Sequence, residues 1–452
     1  MNEINIPRLV IAGTHSNVGK TTIVCALASL FNERGIKTKL FKCGPDYLDP
    51  TYHQRASGSS SVNLDSWMMG SESLKSSFYH ASKGYDLAII EGVMGLYDGH
   101  SPTSEAGSSA EIAKILNAPV VLVSDASGMA RSIAALVKGF KDFDPELNFA
   151  GVICNRVGSE RHLNLLKMAI EDTKVFGGLK KGELTYPGRH LGLTTASKKL
   201  VNEEVFDYWK EKADELIDTN ALYDLAKSTS KVNFNEKVTD KIAPRCKLAY
   251  AIDDAFHFYY EENINLLKSY GAELIAFSPL KDKELPQGVQ GVIIGGGYPE
   301  VHAKALSENV SMLKSLREFK GPIYAECGGL MYLSESIVDL ENNKYEMVGL
   351  LQGQAKMENK LQALGYVEVE LKEDSIIGPK GVRFRGHQFR YSNLIKTDDV
   401  PLIFSLRKKR NKEVSKEGYK NGRVLGSYVH AHFGSNPLLA KYLVENCLKN
   451  EI

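Results

Sequence analysis

The chain lacks several things, and each absence closes off a class of protein. No apolar run reaches the roughly 18 residues that a membrane-spanning helix needs. Neither charge is in excess: 56 Lys and Arg stand against 55 Asp and Glu, so no global field draws the chain to nucleic acid or an anionic membrane. Cysteine is sparse, with six scattered residues and neither a CxxC pair nor zinc-like spacing, which argues against a metal ribbon. No charged leader precedes the first apolar stretch, "RLVIAG", and with the cysteine usage this leads us to expect a reducing cytoplasm. Internal repeats and low-complexity tracts are missing too. The basic run "RKKRNK", Arg407 to Lys412, reads as a solvated loop.

What is present is an ordinary globular composition, 43% hydrophobic, in 452 residues. That is enough chain for two or three domains. In the first half, "PRLVIAG", "TKLFK", "DLAIIEG", "PVVLVSDA" and "FAGVICNRV" read as buried strands, each followed by a loop and a helical pattern. The rhythm predicts a parallel sheet covered by helices on both faces, with a ligand site at the carboxyl ends of its strands. A polar stretch over 229–245 reads as a linker between a first unit, 1–228, and a second α/β unit, 246–452. The second unit opens with "KLAYAID" and ends with "VLGSYVHAHF" and the helix "PLLAKYLVENCLKN".

"VIAGTHSNVGKTTIVCALASLF" is a strand, a glycine-bearing loop and a helix stopped by Gly35. A nucleotide's phosphates need inward backbone N–H groups, a helix N-terminus, a lysine and a hydroxyl for Mg2+. Gly13, Thr14, Gly19, Lys20, Thr21 and Thr22 supply that set for ATP, although five residues separate Gly13 from Gly19 where four are usual. The loop resembles that of dethiobiotin synthetase and its ATP-dependent amidoligase relatives. A metal-holding carboxylate should leave a neighbouring strand tip. Glu91 in "DLAIIEGVMGLYDG" stands there, and Asp46 and Asp49 in "FKCGPDYLDPTYH" face the same crevice. Asn155, after "AGVIC", either reads the adenine edge or caps the next helix.

In "PIYAECGGLMYL" an apolar strand turns at Cys327 into a helix, and two glycines allow close backbone approach. A free cysteine in a strand is usually an inert small hydrophobe. This one has the setting of a nucleophile elbow, with amides nearby for an oxyanion. "GSYVHAHF" offers His430 and His432 as bases, and "IIGGGYPE" supplies a glycine turn, Gly295 to Gly297. Cysteine, histidine and glycine turn in one α/β unit point to acyl transfer from an amide.

At this point the resemblance widens to nearly the whole chain. "FKCGPDYLDPTYH", "VNLDSWMM", "EGVMGLYDG", "GRHLGLTTAS", "DDAFHFYY", "FSPL", "GGGYPE", "AECGGLMYL", "LGYVEVEL", "GHQFRYS" and "YVHAHFGSNP" occur in order, as in the cobyrinic acid a,c-diamide synthase family. The chain resembles that family in full, and its second half resembles a class I glutamine amidotransferase of the cobyric acid synthase type. The resemblance implies a dethiobiotin synthetase-like P-loop domain followed by an amidotransferase domain. Implied substrates are a tetrapyrrole polycarboxylate, ATP and L-glutamine, with Mg2+, no nucleic acid and no membrane; a homodimer is compatible with it.

By resemblance, ATP and Mg2+ held by Thr21, Asp46 and Glu91 would convert an acetate carboxylate to an acyl phosphate. Tyr47 and Leu48, beside Asp46 and Asp49, would position it. Cys327 would attack glutamine, His430 would move the proton, amides of Gly296, Gly297 and Gly328 would hold the oxyanion, and ammonia would travel internally to the first site. Arg189 and His190 would meet substrate carboxylates, close the site or merely pack. Arg385, His387 and Arg390 are candidates for a domain interface or the substrate end.

Three departures stand out. His432 occupies the place, two after the histidine, where many class I amidotransferases carry Glu, which leaves the third member of the catalytic set unassigned. Ile252 stands where relatives often read Arg, and Gln388 where Glu is common. Within the same chemistry, Ni-sirohydrochlorin and hydrogenobyrinic acid a,c-diamide synthases present the same motifs. A P-loop switch ATPase with a non-catalytic C-terminal module is the alternative from another class; it would carry a second lysine near His15 and would not need Cys327.

Overall fold

The computed structural model describes residues 2–182, 202–235, 242–396, 400–409 and 413–449. The chain divides into two units, Met1–Lys237 and Val238–Ile452. Among the described residues no helix is long and apolar enough to cross a membrane.

The first unit is built on a seven-stranded sheet. In spatial order its strands are Val62–Leu64, Thr38–Cys43, Leu87–Glu91, Arg8–Gly13, Val120–Asp125, Phe149–Asn155 and Val175–Gly177. Every pairing is parallel. Each residue of Thr38–Cys43, Arg8–Gly13 and Leu87–Glu91 is buried, because helices cover both faces and leave two separate apolar cores. These three adjacent strands end side by side, which gathers the loop after Gly13, the turn after Cys43 and Glu91 at one edge. The segment read as a linker includes the strand Val232–Phe234, which pairs antiparallel with Asn2–Ile4.

The second unit departs further from a simple strand–helix alternation. Five strands of its ten-stranded sheet run parallel: Ala272–Phe277, Cys246–Ala251, Gly291–Ile294, Ile323–Glu326 and Val424–Ser427. The rest, Val414–Asn421, Leu402–Lys408, Ala363–Leu371, Arg383–Arg390 and His430–Ala431, continue antiparallel. A separate four-stranded sheet includes Leu351–Met357. Arg407 and Lys408, expected in a loop, close the strand Leu402–Lys408, and residues 410–412 lie outside the described residues. The antiparallel half folds the chain back so that His430 lies opposite His387, on the Cys327 side of the unit.

Candidate functional site

The phosphate loop leaves the strand Arg8–Gly13 and enters the helix Lys20–Glu33 through Gly19, whose φ of 96° is left-handed. A side chain there would also strike Asn155: a Cβ would lie 2.2 Å from Asn155 Nδ2. Glycine is therefore required twice over, by conformation and by space. Asn155 holds the loop, its Nδ2 donating to the Val18 carbonyl at 2.7 Å. The Lys20 ammonium curls back over the loop and donates to the carbonyls of His15 (3.1 Å) and Met94 (2.6 Å). Thr14 donates its amide to Val123, and Thr22 lies one turn-position into the helix, half-buried.

Behind the loop sits a buried network that the motifs only partly announce. Glu91 Oε1 accepts from Thr21 Oγ1 at 2.7 Å and from Lys42 Nζ at 2.9 Å, and its Oε2 meets His53 Nε2 at 2.5 Å. Lys42 Nζ also contacts Asp49 Oδ2 at 2.7 Å. Asp46 Oδ1 accepts the amides of Leu48 and Asp49 at 2.8 and 3.0 Å, where the helix Asp49–Ser57 begins. Leu48 is buried at that helix start and Tyr47 precedes it, half-buried.

The electrostatics follow from burial. Desolvation opposes the Lys42 charge, but Asp49 and Glu91 outweigh it and raise its pKa. Desolvation likewise opposes the Glu91 charge, yet Lys42 and His53 hold its carboxylate below the usual range. Asp46 is pushed up to about 6, first by burial and then by the negative charge of Asp49. Three anions thus crowd around one buried ammonium, an arrangement suited to receiving further positive charge.

Lys42 and His53 were missed by the sequence reading. A signal existed for the lysine: a cation in a strand buried on both faces must be paired. In the parallel register Lys42 lies beside Glu91, and adjacent residues in register project to the same face. Hard oxygen donors at Thr21, Glu91 and Asp46 suit Mg2+, which takes few protein ligands and completes its shell with phosphates and water. Among the described residues, no three His, Cys, Asp or Glu side chains come together to hold a metal by themselves.

In the second unit, Ile323–Glu326 ends at Cys327, whose backbone is strained at φ 48° and ψ −103° before the helix Gly328–Leu333 begins. The Cys327 amide is held by the Ser427 carbonyl at 2.7 Å. Two glycine contacts show how tightly the pieces meet. A Cβ on Gly328 would sit 3.1 Å from the Gly297 nitrogen, and one on Gly296 would sit 2.5 Å from His430 Cε1. Elbow, glycine turn and histidine are therefore brought together.

Burial pushes the Cys327 thiol up to about 12, reinforced by Glu300 and opposed by Arg390 and the Gly328 amide. Burial alone presses His430 down to about 3. Both shifts favour a protonated thiol and a neutral imidazole at rest. His387 stacks on His430 with ring centroids 4.9 Å apart and 16° between planes. Its Nδ1 meets the Tyr260 hydroxyl at 2.9 Å. His432 is engaged elsewhere, its Nδ1 accepting the Gly434 amide at 3.2 Å. Gln388 is buried, whereas Arg385 is exposed and lies 3.5 Å from Glu368. Arg390 donates to Asn393 and the Ser392 carbonyl and lies over the Tyr428 ring. Arg189 and His190 lie outside the described residues.

Both halves match known families. Residues 9–186 match the CobQ/CobB/MinD/ParA nucleotide binding domain and residues 247–438 the CobB/CobQ-like glutamine amidotransferase domain. A cobyrinate a,c-diamide synthase of Leptospira interrogans serogroup Icterohaemorrhagiae serovar copenhageni is 51% identical over 452 residues, covering 99% of each chain.

The chain belongs to the cobyrinate a,c-diamide synthase family.

Other members of that family are similar along their whole length. The Priestia megaterium cobyrinate a,c-diamide synthase is 43% identical over 448 residues, with 97% of each chain covered. That of Caldanaerobacter subterraneus subsp. tengcongensis is 44% identical over 453 residues, covering 97% of this chain and 98% of its own. The expected fold, a P-loop nucleotide-binding domain plus a glutamine amidotransferase domain, holds, and the chain is a glutamine-dependent ligase of this family.

Proposed function

We propose that this chain amidates the a and c acetate carboxylates of a corrin precursor, taking cobyrinic acid to its a,c-diamide at the expense of ATP and glutamine, in the cytoplasm. The observation that carries the reading is the strained Cys327 at a glycine turn that meets both its helix and the His430 ring, in one polypeptide with a phosphate loop backed by buried carboxylates. Its likeness to cobyrinate a,c-diamide synthases over 99% of the chain supports the substrate.

A carboxylate is a poor electrophile, and ammonia is mostly protonated at neutral pH. The two halves of the reaction answer these two problems. At the phosphate loop, a substrate acetate oxygen attacks the terminal phosphorus of ATP and ADP leaves, giving an acyl phosphate. The loop from Gly13 and Thr14 to Gly19, with Lys20 and Thr22, holds the nucleotide, and Asn155 keeps the loop in shape. Mg2+, which neutralises phosphate charge, would be held by Thr21, Asp46 and Glu91. Lys42 fixes Glu91 and Asp49, while Tyr47 and Leu48 position the acetate. At the thiol, Cys327 Sγ attacks the carboxamide carbon of glutamine as its proton passes to His430. Amides of Gly296, Gly297 and Gly328 receive the oxyanion. His430 returns the proton to the leaving nitrogen, water hydrolyses the thioester, and the ammonia released displaces phosphate from the acyl phosphate.

The test is an anaerobic assay with ATP, Mg2+ and glutamine against cobyrinic acid, hydrogenobyrinic acid and Ni-sirohydrochlorin, counting acid-to-amide conversions by mass. Two conversions on cobyrinic acid are expected, and in Cys327→Ala they should require added ammonia. Glutamine-dependent turnover by Cys327→Ala would overturn the reading, and turnover on another ring alone would reassign the substrate.

A further inference from the structure

A histidine that takes a proton on one ring nitrogen is a good base only if the other nitrogen's N–H has an acceptor, which sets the tautomer and compensates the imidazolium. The groups around His430 narrow the choice. His387 stacks on the ring face, out of the plane in which a His430 N–H points, and its own Nδ1 is engaged by Tyr260. The His432 ring packs on Tyr260 at 4.6 Å and takes the Gly434 amide. Glu417 is used by Ser427 Oγ and the Tyr428 amide. Glu326, the residue before the nucleophile, is different. Its Oε1 accepts from Tyr324 (2.8 Å) and the Ala431 amide (3.1 Å), and its Oε2 stands 3.8 Å from His430 Nδ1. The strand that delivers Cys327 thus also delivers a buried carboxyl to the Nδ1 of His430.

We infer that Glu326 is the positioning residue of the thiol-attack site, receiving the Nδ1–H of His430 so that Nε2 is the nitrogen that takes the Cys327 proton. This rests on the reading of Cys327 as glutamine's nucleophile. The balance is simple. The S–H bond breaks, its proton goes to Nε2 and the sulfur electron pair forms the C–S bond; later that proton leaves with ammonia. Glu326 holds Nδ1–H throughout and makes or breaks no bond. A separation of 3.8 Å closes to a hydrogen bond as the imidazolium forms. Burial pushes the Glu326 carboxyl up to about 8, against the opposing bonds from Tyr324 and Ala431. The acceptor is therefore lost as pH falls through that region, and glutaminase activity should rise with pH across it.

Full-length protein is assayed for glutaminase activity, and for alkylation of Cys327 by a chloroketone analogue of glutamine, from about pH 6 to about pH 9. Glu326→Gln keeps an oxygen for Tyr324 and Ala431 but presents an amide N–H to Nδ1, favouring the wrong tautomer. It should lower kcat and the alkylation rate by about a hundredfold or more, with KM for glutamine within about threefold, and abolish the rise near pH 8. A merely structural carboxyl would leave both rates and the limb near wild type, and that result overturns the proposal. Should Glu326→Gln not fold, Tyr324→Phe decides: losing a bond that lowers the Glu326 pKa must move the limb to higher pH, and an unmoved limb is equally fatal. Failure of the wild-type thiol to be alkylated would instead sink the underlying assignment of Cys327.

Discussion

Replacing Lys42 with methionine removes the single ammonium between Glu91 and Asp49 while roughly keeping the side-chain volume. Both lost contacts, 2.9 and 2.7 Å long, are buried. Breaking a buried ion pair by deleting one partner costs about 3–5 kcal/mol, because the remaining charge is stranded away from water. For a unit of this size that corresponds to a fall in melting temperature of about 6–20 °C. Thermal unfolding followed by circular dichroism at neutral pH reads it. The sign of the pH dependence follows from the wild-type network. Glu91 is held below its ordinary pKa, so its contribution is present above the unfolded carboxylate value and is lost as pH falls through the depressed one. In Lys42→Met the stranded carboxylates take up protons more readily, so the gap between variant and wild type narrows in acid. Adding Glu91→Gln should restore part of the loss at neutral pH. A deficit below about 1 kcal/mol, or one that widens in acid, would mean that Lys42 does not compensate these carboxylates.

Other outcomes follow from single contacts. Gly19→Ala places a Cβ 2.2 Å from Asn155 Nδ2 on a backbone with φ 96°, so ATP-dependent turnover should fall at least about tenfold while alkylation of Cys327 is unchanged. Gly296→Ala, whose Cβ would meet His430 Cε1 at 2.5 Å, should abolish glutaminase activity and spare amidation fed by free ammonia; retained glutaminase activity would remove His430 from its assigned place. Burial raises Glu300 to about 7, and its charge raises the Cys327 pKa, so Glu300→Gln should move thiol alkylation to lower pH; a shift to higher pH contradicts the stated cause. Asp65 caps a helix by accepting the Met68 amide at 2.8 Å, and Asp65→Ala should cost about 1 kcal/mol in urea unfolding.

Legibility tracked the physics of burial. Most central strands of the first unit, such as Arg8–Gly13, Leu87–Glu91 and Val120–Asp125, are largely apolar runs, because both faces are covered, and such runs stand out in a sequence. The antiparallel half of the second unit hides itself: Leu351–Met357 alternates buried and wetter positions, and "LQGQAKM" carries too few apolar residues to announce a strand. At the candidate site, residues whose placement depends on a local turn, Gly19, Lys20 and Cys327, stand out in the sequence where the structure puts them. Those whose role depends on register, Lys42 beside Glu91 and Glu326 beside His430, could not, since the partners are 49 and about a hundred positions away and only the folded sheet puts them together.

Cys327 sits in a backbone conformation that a side chain rarely adopts, at φ 48° and ψ −103°, and such a residue costs about 1–3 kcal/mol. The fold would be more comfortable with glycine there. Stability alone does not account for a cysteine at this position, at the end of the strand Ile323–Glu326. A Cys327→Gly protein should therefore melt later than its parent while consuming no glutamine.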